Sequence, residues 1–366
     1  MRINSSACRM TLSKVTERAL YRPVKIGSLE LSGNLFLAPV AGYTDRAFRS
    51  LCAEQGADFS FTELVSAEAL YRNPGHYGLT PQVYNSPCAP AAANMVRRGE
   101  SEKHYAIQLF GGESESIYKA ALLLVPLKPD ALDINSGCPV PKIVKNGAGS
   151  ALMKSPANLG RVVEAAVRAS RESLGGIPVT VKIRSGWDSS SINYAECARI
   201  AVEAGAAMVS LHPRTRAQYY GGKSDWSNIA DLVTRLNVPV TGSGDLYTPE
   251  DARQMLRETG CAAVMFARGA LGNPFIFSAA RSFLETGTWS NPCSGNASFN
   301  ARITAAIRHL EMLSADIGER SACLEMRKQF CAYTKGLVGG AALREKVVHA
   351  QTIEEYRRIV AIKENE

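Results

Sequence analysis

One cysteine stands in a setting that suits chemistry better than packing. Cys138 follows the short apolar run 131–134, then Asn, Ser and Gly, and it precedes a Pro. The proline biases Cys138 toward an extended conformation, so the thiol is expected to project from a loop just beyond a strand end. A free cysteine is most often a small core residue, but the neighbours here include Asn, Gly, Pro, Lys142 and Lys145, which do not form a core. The stretch 133–139 is therefore a candidate catalytic loop.

Polar and small residues also follow the other predicted strands. The carboxyl ends of parallel strands meet at one edge of an open sheet or one mouth of a barrel, so these side chains are expected to converge. Each alone has an ordinary structural explanation, but so many at corresponding positions favour a site. In chain order they are Pro39, Val40, Ala41 and Gly42; Gln108; Asn135; Lys182 and Arg184; His212, Arg214 and Arg216; Ser243, Gly244 and Asp245; and Arg268 with Gly269.

The residue types at these strand ends suit a flavin nucleotide. The small residues 39–42 allow a flat ring to lie against the backbone, and Lys182 supplies a cation for such a ring. Glycine-rich turns with a basic residue after the seventh and eighth strands of a barrel commonly bind phosphate. The turn 242–245 and Arg268 have this character. Together these features favour FMN as the cofactor.

Strands and helices that could position these residues alternate along the chain. Apolar runs of strand length occupy residues 35–39, 58–61, 106–109, 131–134, 179–183, 208–211, 238–241 and 263–266. Amphipathic stretches at 45–54, 156–171, 194–204, 225–236 and 249–259 are predicted helices, several of them with Ser, Thr or Asp at the start and Gly at the end. This alternation predicts the α/β class and a (β/α)8 TIM barrel. A doubly wound sheet is disfavoured, because no strand leads into a Gly-x-Gly-x-x-Gly turn.

The pattern breaks in two places. Residues 73–104 form a Pro-, Gly- and Ala-rich insertion where a βα connection is expected, which indicates either a functional loop or a disordered one. Residues 287–298 have the composition of a linker, and helices are predicted at 299–317, 321–337 and 352–363. The expected division is a catalytic barrel over 1–286, a linker over 287–298 and a small all-α helical domain over 299–366.

Composition narrows the class of protein. The chain has 366 residues, of which 46% are hydrophobic and 21% charged, as in a globular protein. Its nine cysteines contain no Cys-x-x-Cys pair, so neither a disulfide framework nor a metal site is predicted, and a cytoplasmic location is expected. No secretory signal and no run near the ~20 apolar residues of a membrane helix is found. The net charge of +8 fits a polyanionic partner, although the basic residues of the predicted helical domain are weak support on their own.

Taken together, the motifs resemble those of the tRNA-dihydrouridine synthases, and most of all the bacterial B type. The similarity extends from about residue 35 to about residue 362 and leaves the 73–104 insertion poorly covered. The segments that carry it are 38–45 (APVAGYTD), 108–111 (QLFG), 133–139 (DINSGCP), 147–152 (GAGSAL), 182–187 (KIRSGW), 212–216 (HPRTR) and 268–270 (RGA).

This resemblance implies an FMN-binding barrel followed by a helical tRNA-binding domain, with NADPH or NADH as the reductant. A monomer that needs neither a membrane nor a metal is expected. The FMN contacts are expected to be Pro39, Val40, Ala41, Gln108, Lys182, His212, Ser243, Gly244, Asp245, Ala267 and Arg268. One position departs from the family pattern, because Ser243 stands where Asn is usual. Phosphate binding is expected to persist there in a weaker form.

The implied reaction is the reduction of the C5–C6 double bond of uridine. It needs a hydride at C6, which a reduced flavin supplies, and a proton at C5. A thiol with the ordinary pKa of ~8.5 is mostly protonated at neutral pH, so Cys138 is the expected general acid. Lys182, Arg184 and His212 complete the expected catalytic set, the last two as stabilisers of charge that develops on the uracil. The base must be extruded from the RNA to reach a barrel mouth.

Two other functions remain open at this point. An FMN barrel could reduce a free pyrimidine, as dihydroorotate and dihydropyrimidine dehydrogenases do, although the basic helical appendage speaks against it. A non-catalytic RNA-binding protein on a barrel scaffold is the second, and the presence of Cys138, Lys182 and His212 speaks against that. Which uridine is modified depends on how the RNA docks, and the residue pattern does not specify it.

Overall fold

The first strands of the described residues form a small hairpin that closes one end of a barrel. The structure, a computed structural model, describes residues 19–80, 91–289 and 295–361. Strands β1 (Val24–Ile26) and β2 (Leu29–Leu31) pair antiparallel. Their apolar side chains pack with Phe36, Phe59 and Met208. Because this cluster fills the amino-terminal end of the barrel, the open space lies at the opposite end.

Eight parallel strand positions form the closed barrel, which confirms the predicted TIM-barrel class. The strands are β3 (Leu35–Leu37), β4 (Phe59–Phe61) with a short continuation β5 (Val65–Ser66), β6 (Tyr105–Phe110), β7 (Ala131–Ser136), β8 (Val179–Arg184), β9 (Met208–His212), β10 (Val240–Ser243) and β11 (Ala263–Phe266). Closure comes from β4 and β5 pairing with β6, at Ser60 with Tyr105 and at Val65 with Leu109. All eight predicted strands are present, and the short strand β5 after the second one was not predicted.

Helices cover the outside of the barrel and bury the outward faces of the strands. They are α1 (Arg46–Glu54), α2 (Ala67–Arg72), α3 (Ser114–Leu123), α4 (Pro141–Val144), α5 (Pro156–Ser173), α6 (Tyr194–Glu203), α7 (Ser227–Arg235), α8 (Pro249–Thr259) and α9 (Ile276–Thr286). The predicted caps are confirmed where the signals were strong. The side chain of Asp45 accepts from the N–H of Phe48, and Thr248 and Asp251 form a capping box at the start of α8.

A helical region follows, with α10 (Gly295–Ile317), α11 (Glu319–Tyr333), α12 (Gly340–Val347) and α13 (Ile353–Ala361). Helix α10 begins four residues before the predicted start at 299, inside the stretch predicted as a linker. Helix α11 ends at Tyr333 instead of 337, because a turn with Gly336 at φ 77° and Gly339 at φ 71° leads into α12. None of the described helices is long and apolar enough to cross a membrane.

The helical region packs directly on the barrel beside its first strand. His309 Nε2 lies 3.0 Å from Asp45 Oδ1, and its ring stacks on Phe48 with centroids 5.6 Å apart. Gln329 Nε2 donates to the carbonyl of Tyr43 at 3.0 Å. On the other side, a Cβ on Gly272 would overlap the backbone at the end of α11. The helical region is therefore seated next to the loops that follow the first and eighth barrel strands.

The described parts of the 73–104 insertion are packed, with 3-10 turns at Pro74–Tyr77 and Ala91–Met95; residues 81–90 lie outside the described residues. Asn94 Nδ2 donates to the carbonyl of Asp316 in α10 at 2.7 Å. Glu102 accepts from Arg49 Nε at 2.9 Å, and neither side chain is exposed. Glu102 also accepts from Ser60 and from the N–H of Gly99. This buried ion pair ties the end of the insertion to α1.

We expect Glu102→Gln to lower the free energy of unfolding by about 3–5 kcal/mol, because it leaves the Arg49 guanidinium buried without its counter-ion. Urea denaturation followed by circular dichroism measures the change. Glu203→Gln is the matched control, since Glu203 forms an exposed ion pair with Arg199 at 2.6 Å and its loss should change stability little. Equal effects of the two substitutions would contradict a structural role for the buried pair.

Candidate active site

A cavity of about 350 Å³ opens at the carboxyl ends of the barrel strands. Its volume lies within the range of small-molecule sites, about 300–1,000 Å³. The loops after β3, β7, β8, β9, β10 and β11 contribute to its wall, and all but one of the expected FMN contacts and catalytic residues line it. The lining set contains Pro39, Val40, Ala41, Cys138, Lys182, Arg184, His212, Ser243, Gly244, Asp245, Ala267 and Arg268.

The Cys138 loop is held from several sides. Asn135 Oδ1 accepts from the N–H of Cys138 at 2.9 Å and from the N–H of Gly137 at 3.2 Å. The carbonyl of Cys138 accepts from the N–H of Ser150 at 3.0 Å. Burial raises the pKa of the Cys138 thiol above its ordinary range, although nearby cations act in the opposite direction. The thiol is therefore protonated at neutral pH and held at a defined place on the cavity wall.

Lys182 lies beside this loop, since β7 and β8 are neighbours and Asn135 pairs with Lys182. Within the described residues its ammonium makes neither a hydrogen bond nor an ion pair. Burial, together with Arg184, lowers the pKa of Lys182 to about 8, and Asp133 opposes that shift. Lys182 thus presents to the cavity an ammonium group that has a lowered pKa and no partner among the described residues.

His212 is neutral in this setting. Burial and then the surrounding cations hold the pKa of the imidazole far below its ordinary value. Its Nε2 lies 3.2 Å from Arg214 Nη1, and a guanidinium can only donate, so Nε2 is the acceptor and Nδ1 carries the proton. A neutral imidazole of this tautomer can donate or accept a hydrogen bond, but it is not a cationic acid.

Arg184 lines the cavity, yet its guanidinium is already engaged. Nε donates to the carbonyl of Gly137 at 2.8 Å, while Nη1 donates to the carbonyls of Thr215 at 3.0 Å and Tyr219 at 2.8 Å. Only 4% of Arg184 is exposed. It therefore joins the Cys138 loop to the loop after β9, and it adds positive charge to the wall.

The turns after β10 and β11 are organised by one carboxylate. Asp245 Oδ2 accepts from Arg214 Nη2 at 2.7 Å, and Asp245 Oδ1 accepts from Arg268 Nη2 at 3.0 Å. Burial opposes ionisation, but these arginines and the N–H of Ser224 outweigh it and hold the pKa of Asp245 below its ordinary value. The hydroxyl of Ser243 donates to the carbonyl of Met265 at 3.1 Å. Asp245 and Ser243 thus shape the turns with their side chains.

Gln108 is the predicted residue that does not line the cavity. Its side chain is fully buried, with Nε2 donating to Asp133 Oδ2 at 2.6 Å and Oε1 accepting from Asn135 Nδ2 at 2.8 Å. Asp133 is also fully buried, and burial raises its pKa to about 7. Gln108 and Asp133 lie one layer below the cavity floor.

Sequence reasoning missed the aromatic rim of the cavity. Tyr219 and Tyr220 come from the loop after β9, Tyr247 from the loop after β10, and Tyr43 from the loop after β3. Arg268 lies 4.7 Å from the ring centre of Tyr220 and 5.4 Å from that of Tyr247. The adjacent tyrosines, placed seven and eight residues after His212 and before two glycines, are the signal that could have been used.

Comparison with known proteins agrees with this geometry. The family model described as Dihydrouridine synthase (Dus) matches residues 36–365. The chain is 45% identical over 349 residues to a "Probable tRNA-dihydrouridine synthase" of Treponema pallidum, covering 94% of this chain and 97% of that protein. It is 35% identical over 329 residues to a "tRNA-dihydrouridine synthase B" of Xanthomonas axonopodis, covering 90% and 92%.

Among solved structures, a 2-naphthoyl-CoA reductase complex aligns with a TM-score of 0.54 at 12% identity, covering 72% of this chain and 52% of that one. An old yellow enzyme homologue from Zymomonas mobilis aligns with a TM-score of 0.50 at 12% identity, covering 75% and 94%. At this identity the likeness concerns the fold alone. Fold and cavity define an α/β-barrel enzyme that works at the carboxyl ends of its strands. The match over nearly the whole chain makes it a member of the dihydrouridine synthase family, and thus an oxidoreductase.

Because burial raises the pKa of Cys138, we expect its alkylation by iodoacetamide to be slow at pH 7 and to accelerate only above the ordinary thiol range of about 8.5. Peptide mass spectrometry across a pH series measures the rate, with the exposed Cys331 as an internal reference. A Cys138 that reacts as fast as Cys331 at pH 7 would show that the thiol is not held protonated.

Proposed function

We propose that this protein is a tRNA-dihydrouridine synthase that reduces the C5–C6 double bond of particular uridines in tRNA, with FMN as resident cofactor and NADPH as reductant. One observation carries the proposal. The protonated Cys138 thiol and the Lys182 ammonium, which has no partner among the described residues, line the same cavity at the ends of adjacent strands. The names of the relatives support tRNA as the substrate.

The residues of the cavity fit FMN. Lys182 is available for an electron-rich ring, and within the described residues the backbone N–H groups of Gly244, Asp245, Arg268 and Gly269 have no acceptor. A Cβ on Gly244, which has φ 111°, would overlap Ser224 and the ring of His212, so only glycine brings this turn so close. Since the Ser243 hydroxyl is engaged, we assign phosphate binding to these N–H groups and to Arg268.

When bound, reduced FMN supplies the hydride for C6 of the uracil. Cys138 donates the proton to C5, because burial keeps its thiol protonated at neutral pH and its loop is fixed by Asn135 and Ser150. His212 is excluded as a cationic acid by its depressed pKa. With Arg184, it stabilises negative charge that develops on the uracil carbonyl.

The surroundings of the mouth suit an extruded base on an RNA. Tyr220 is 52% exposed and Tyr247 46% exposed, and both rings lie beside Arg268, which offers stacking and positive charge together. From α11, Lys328 Nζ comes within 3.3 Å of where a Cβ on Gly42 would lie. The helical region therefore places one cation at the rim, next to the ring-binding turn, and Glu325 of the same helix pairs with it.

We propose that the chain divides functionally as the sequence predicts, into a catalytic barrel over 1–286 and an RNA-docking helical part over 299–366. The observed start of α10 at Gly295 shortens the connection between the two parts. A cytoplasmic monomer agrees with tRNA and NADPH as partners.

We expect Cys138→Ala to retain its FMN and its reduction by NADPH, while reoxidation of the flavin by unmodified tRNA slows by about 10²–10⁴, the usual contribution of a general acid. Anaerobic stopped-flow absorbance measures both half-reactions. Cys138→Ser should behave much like the Ala variant, because a hydroxyl is a far weaker acid than a thiol.

Lys182→Met is the matched control, in which we expect the flavin-binding or NADPH half-reaction, and not the proton transfer, to be impaired. It keeps the length of the side chain but removes the cation, so we expect it to lose FMN or to be reduced slowly by NADPH. Near wild-type reoxidation in Cys138→Ala would make the cysteine a packing residue. Rapid reoxidation by free uridine would favour a reductase of free pyrimidines.

Replacing Arg327, Lys328 and Lys335 together by Ala should weaken binding of tRNA and reduce its salt dependence, by about one unit of log–log slope for each phosphate that is no longer neutralised. Titrations at several salt concentrations, followed by fluorescence anisotropy, measure the slope. FMN content should change little, since none of these three residues lines the cavity, although Lys328 lies at its rim.

The control triple variant replaces Arg161, Arg171 and Arg199 by Ala. All three are exposed, on α5 and α6 of the outer barrel surface. It removes the same net charge at a distance from the helical region. If the two triple variants lose the same affinity and the same slope, the RNA responds to overall charge and α11 is not a docking surface.

A further inference from the structure

A chain of side-chain amides runs beneath the floor of the cavity. It begins at Asp133, whose Oδ1 accepts from the Thr180 hydroxyl at 2.5 Å and whose Oδ2 accepts from Gln108 Nε2 at 2.6 Å. Gln108 Oε1 then accepts from Asn135 Nδ2 at 2.8 Å, and Asn135 Oδ1 accepts from the N–H of Cys138 at 2.9 Å. At most 5% of any of the residues below the cysteine is exposed.

Both ends of this chain have a fixed polarity. The N–H of Cys138 can only donate, so Asn135 must turn its oxygen upward and its NH₂ group down toward Gln108. Gln108 must then turn its oxygen to Asn135 and its NH₂ group to residue 133. Only an acceptor at position 133 completes the pattern, and the carboxylate of Asp133 is one.

We propose that Asp133 and Gln108 are positioning residues, which set the orientation of Asn135 and through it the place of the Cys138 thiol. The inference rests on the proposed role of Cys138 as the acid. It gives Gln108 a task that does not depend on the flavin contact predicted from sequence. A buried amide that faces the wrong way leaves donors and acceptors unmatched, and each unmatched buried group destabilises that orientation. A reversed amide would therefore release the loop that carries the thiol.

Exchanging the acid and the amide tests this arrangement. In Gln108→Glu, two carboxylates face each other across the 2.6 Å contact, and they must separate or share a proton. In the double variant Gln108→Glu with Asp133→Asn, the new carboxylate at position 108 accepts from Asn135 and from the new amide at position 133, which in turn accepts from Thr180. The double variant restores every hydrogen bond and the original net charge. Asp133→Asn alone removes the charge. Its oxygen can still accept from Gln108, while its NH₂ group faces the Thr180 hydroxyl, which must then accept and turn its own proton toward the Leu132 carbonyl.

The pKa of Asp133 is already raised to about 7 beside a neutral amide, so the facing carboxylates of Gln108→Glu share a proton at neutral pH and below. The protonated carboxyl then donates as the Gln108 amide does, and the variant should resemble wild type. At a higher pH, where both carboxylates ionise, we expect Gln108→Glu to raise the alkylation rate of Cys138 relative to Cys331 by about tenfold or more, and to slow tRNA-dependent reoxidation of the flavin by at least a similar factor. At the same pH the double variant should return both rates to within about threefold of wild type, and Asp133→Asn alone should change them little. Lys182 on β8 is the charged group that acts on Asp133, and it is present in all variants.

The outcomes separate the two proposals. If Gln108→Glu and the double variant are equally impaired at high pH, or if Gln108→Glu behaves as wild type across the whole pH series, the positioning role is wrong. If Gln108→Glu fails to fold, recovery of the fold in the double variant supports the pairing, and failure of both while Asp133→Asn folds overturns it. If the alkylation pattern holds but wild-type protein is not reoxidised by tRNA, the positioning role stands and the proposed function fails.

Discussion

The mouth of the barrel holds more positive charge than its carboxylates neutralise, and much of the site follows from this imbalance. Arg214 and Arg268 share the carboxylate of Asp245, with contacts of 2.7 and 3.0 Å. The guanidinium of Arg184 donates to backbone carbonyls. Lys182 has no hydrogen-bond or ion-pair partner in the described part of the chain. Buried cations without counter-ions are costly. A bound phosphate, or negative charge on a reacting uracil, reduces that cost. The excess of positive charge at the mouth is therefore unfavourable in the empty site and favours the binding of anionic groups.

A second constraint joins the helical region to the barrel through one carboxylate. Asp45 caps α1 at the N–H of Phe48, and it also accepts from His309 and Gln329. Burial opposes its ionisation, but His309 and the N–H of Phe48 hold the pKa of Asp45 below its ordinary value. Asp45 lies three residues after the turn at 39–42 proposed to hold the flavin ring. A shift of the helices would therefore act on that turn, which connects the proposed RNA-docking region physically with the proposed cofactor site.

The residue pattern predicts the barrel well because its strands are buried on both faces and its helices carry strong caps. The strands begin and end within about two residues of their predicted positions, and the caps at Asp45 and Thr248 are confirmed. The hairpin β1–β2 was missed because its strands are only three residues long. The early start of α10 was missed because Gly295 and its polar neighbours favour a loop by composition.

The sequence pattern predicts which residue types surround the site, but it predicts only partly how deep in the barrel each side chain lies. Strand ends identify which side chains point toward the mouth, but the stagger between neighbouring strands decides how far up each one lies. Gln108 pairs with Asp133, while Asn135, two residues further along β7, pairs with Lys182 at the cavity wall. Gln108 thus ends one layer too low to line the cavity. The hydrogen-bond partners of a side chain cannot be read from the sequence either. The three backbone carbonyls that accept from Arg184 are an example.

The imbalance of charge also explains why a thiol and not an imidazole serves as the proposed acid. An imidazolium at His212 would be a buried charge and a further cation in a cavity that already holds several, so burial first and the neighbouring cations second depress the pKa of His212. A thiol is neutral while it holds its proton, so burial raises its pKa and keeps it ready to donate. Once the proton has left, the thiolate is an anion among cations, and Arg184 and Lys182 both favour that form. The same field therefore disfavours one acid before it acts and stabilises the other after it has acted.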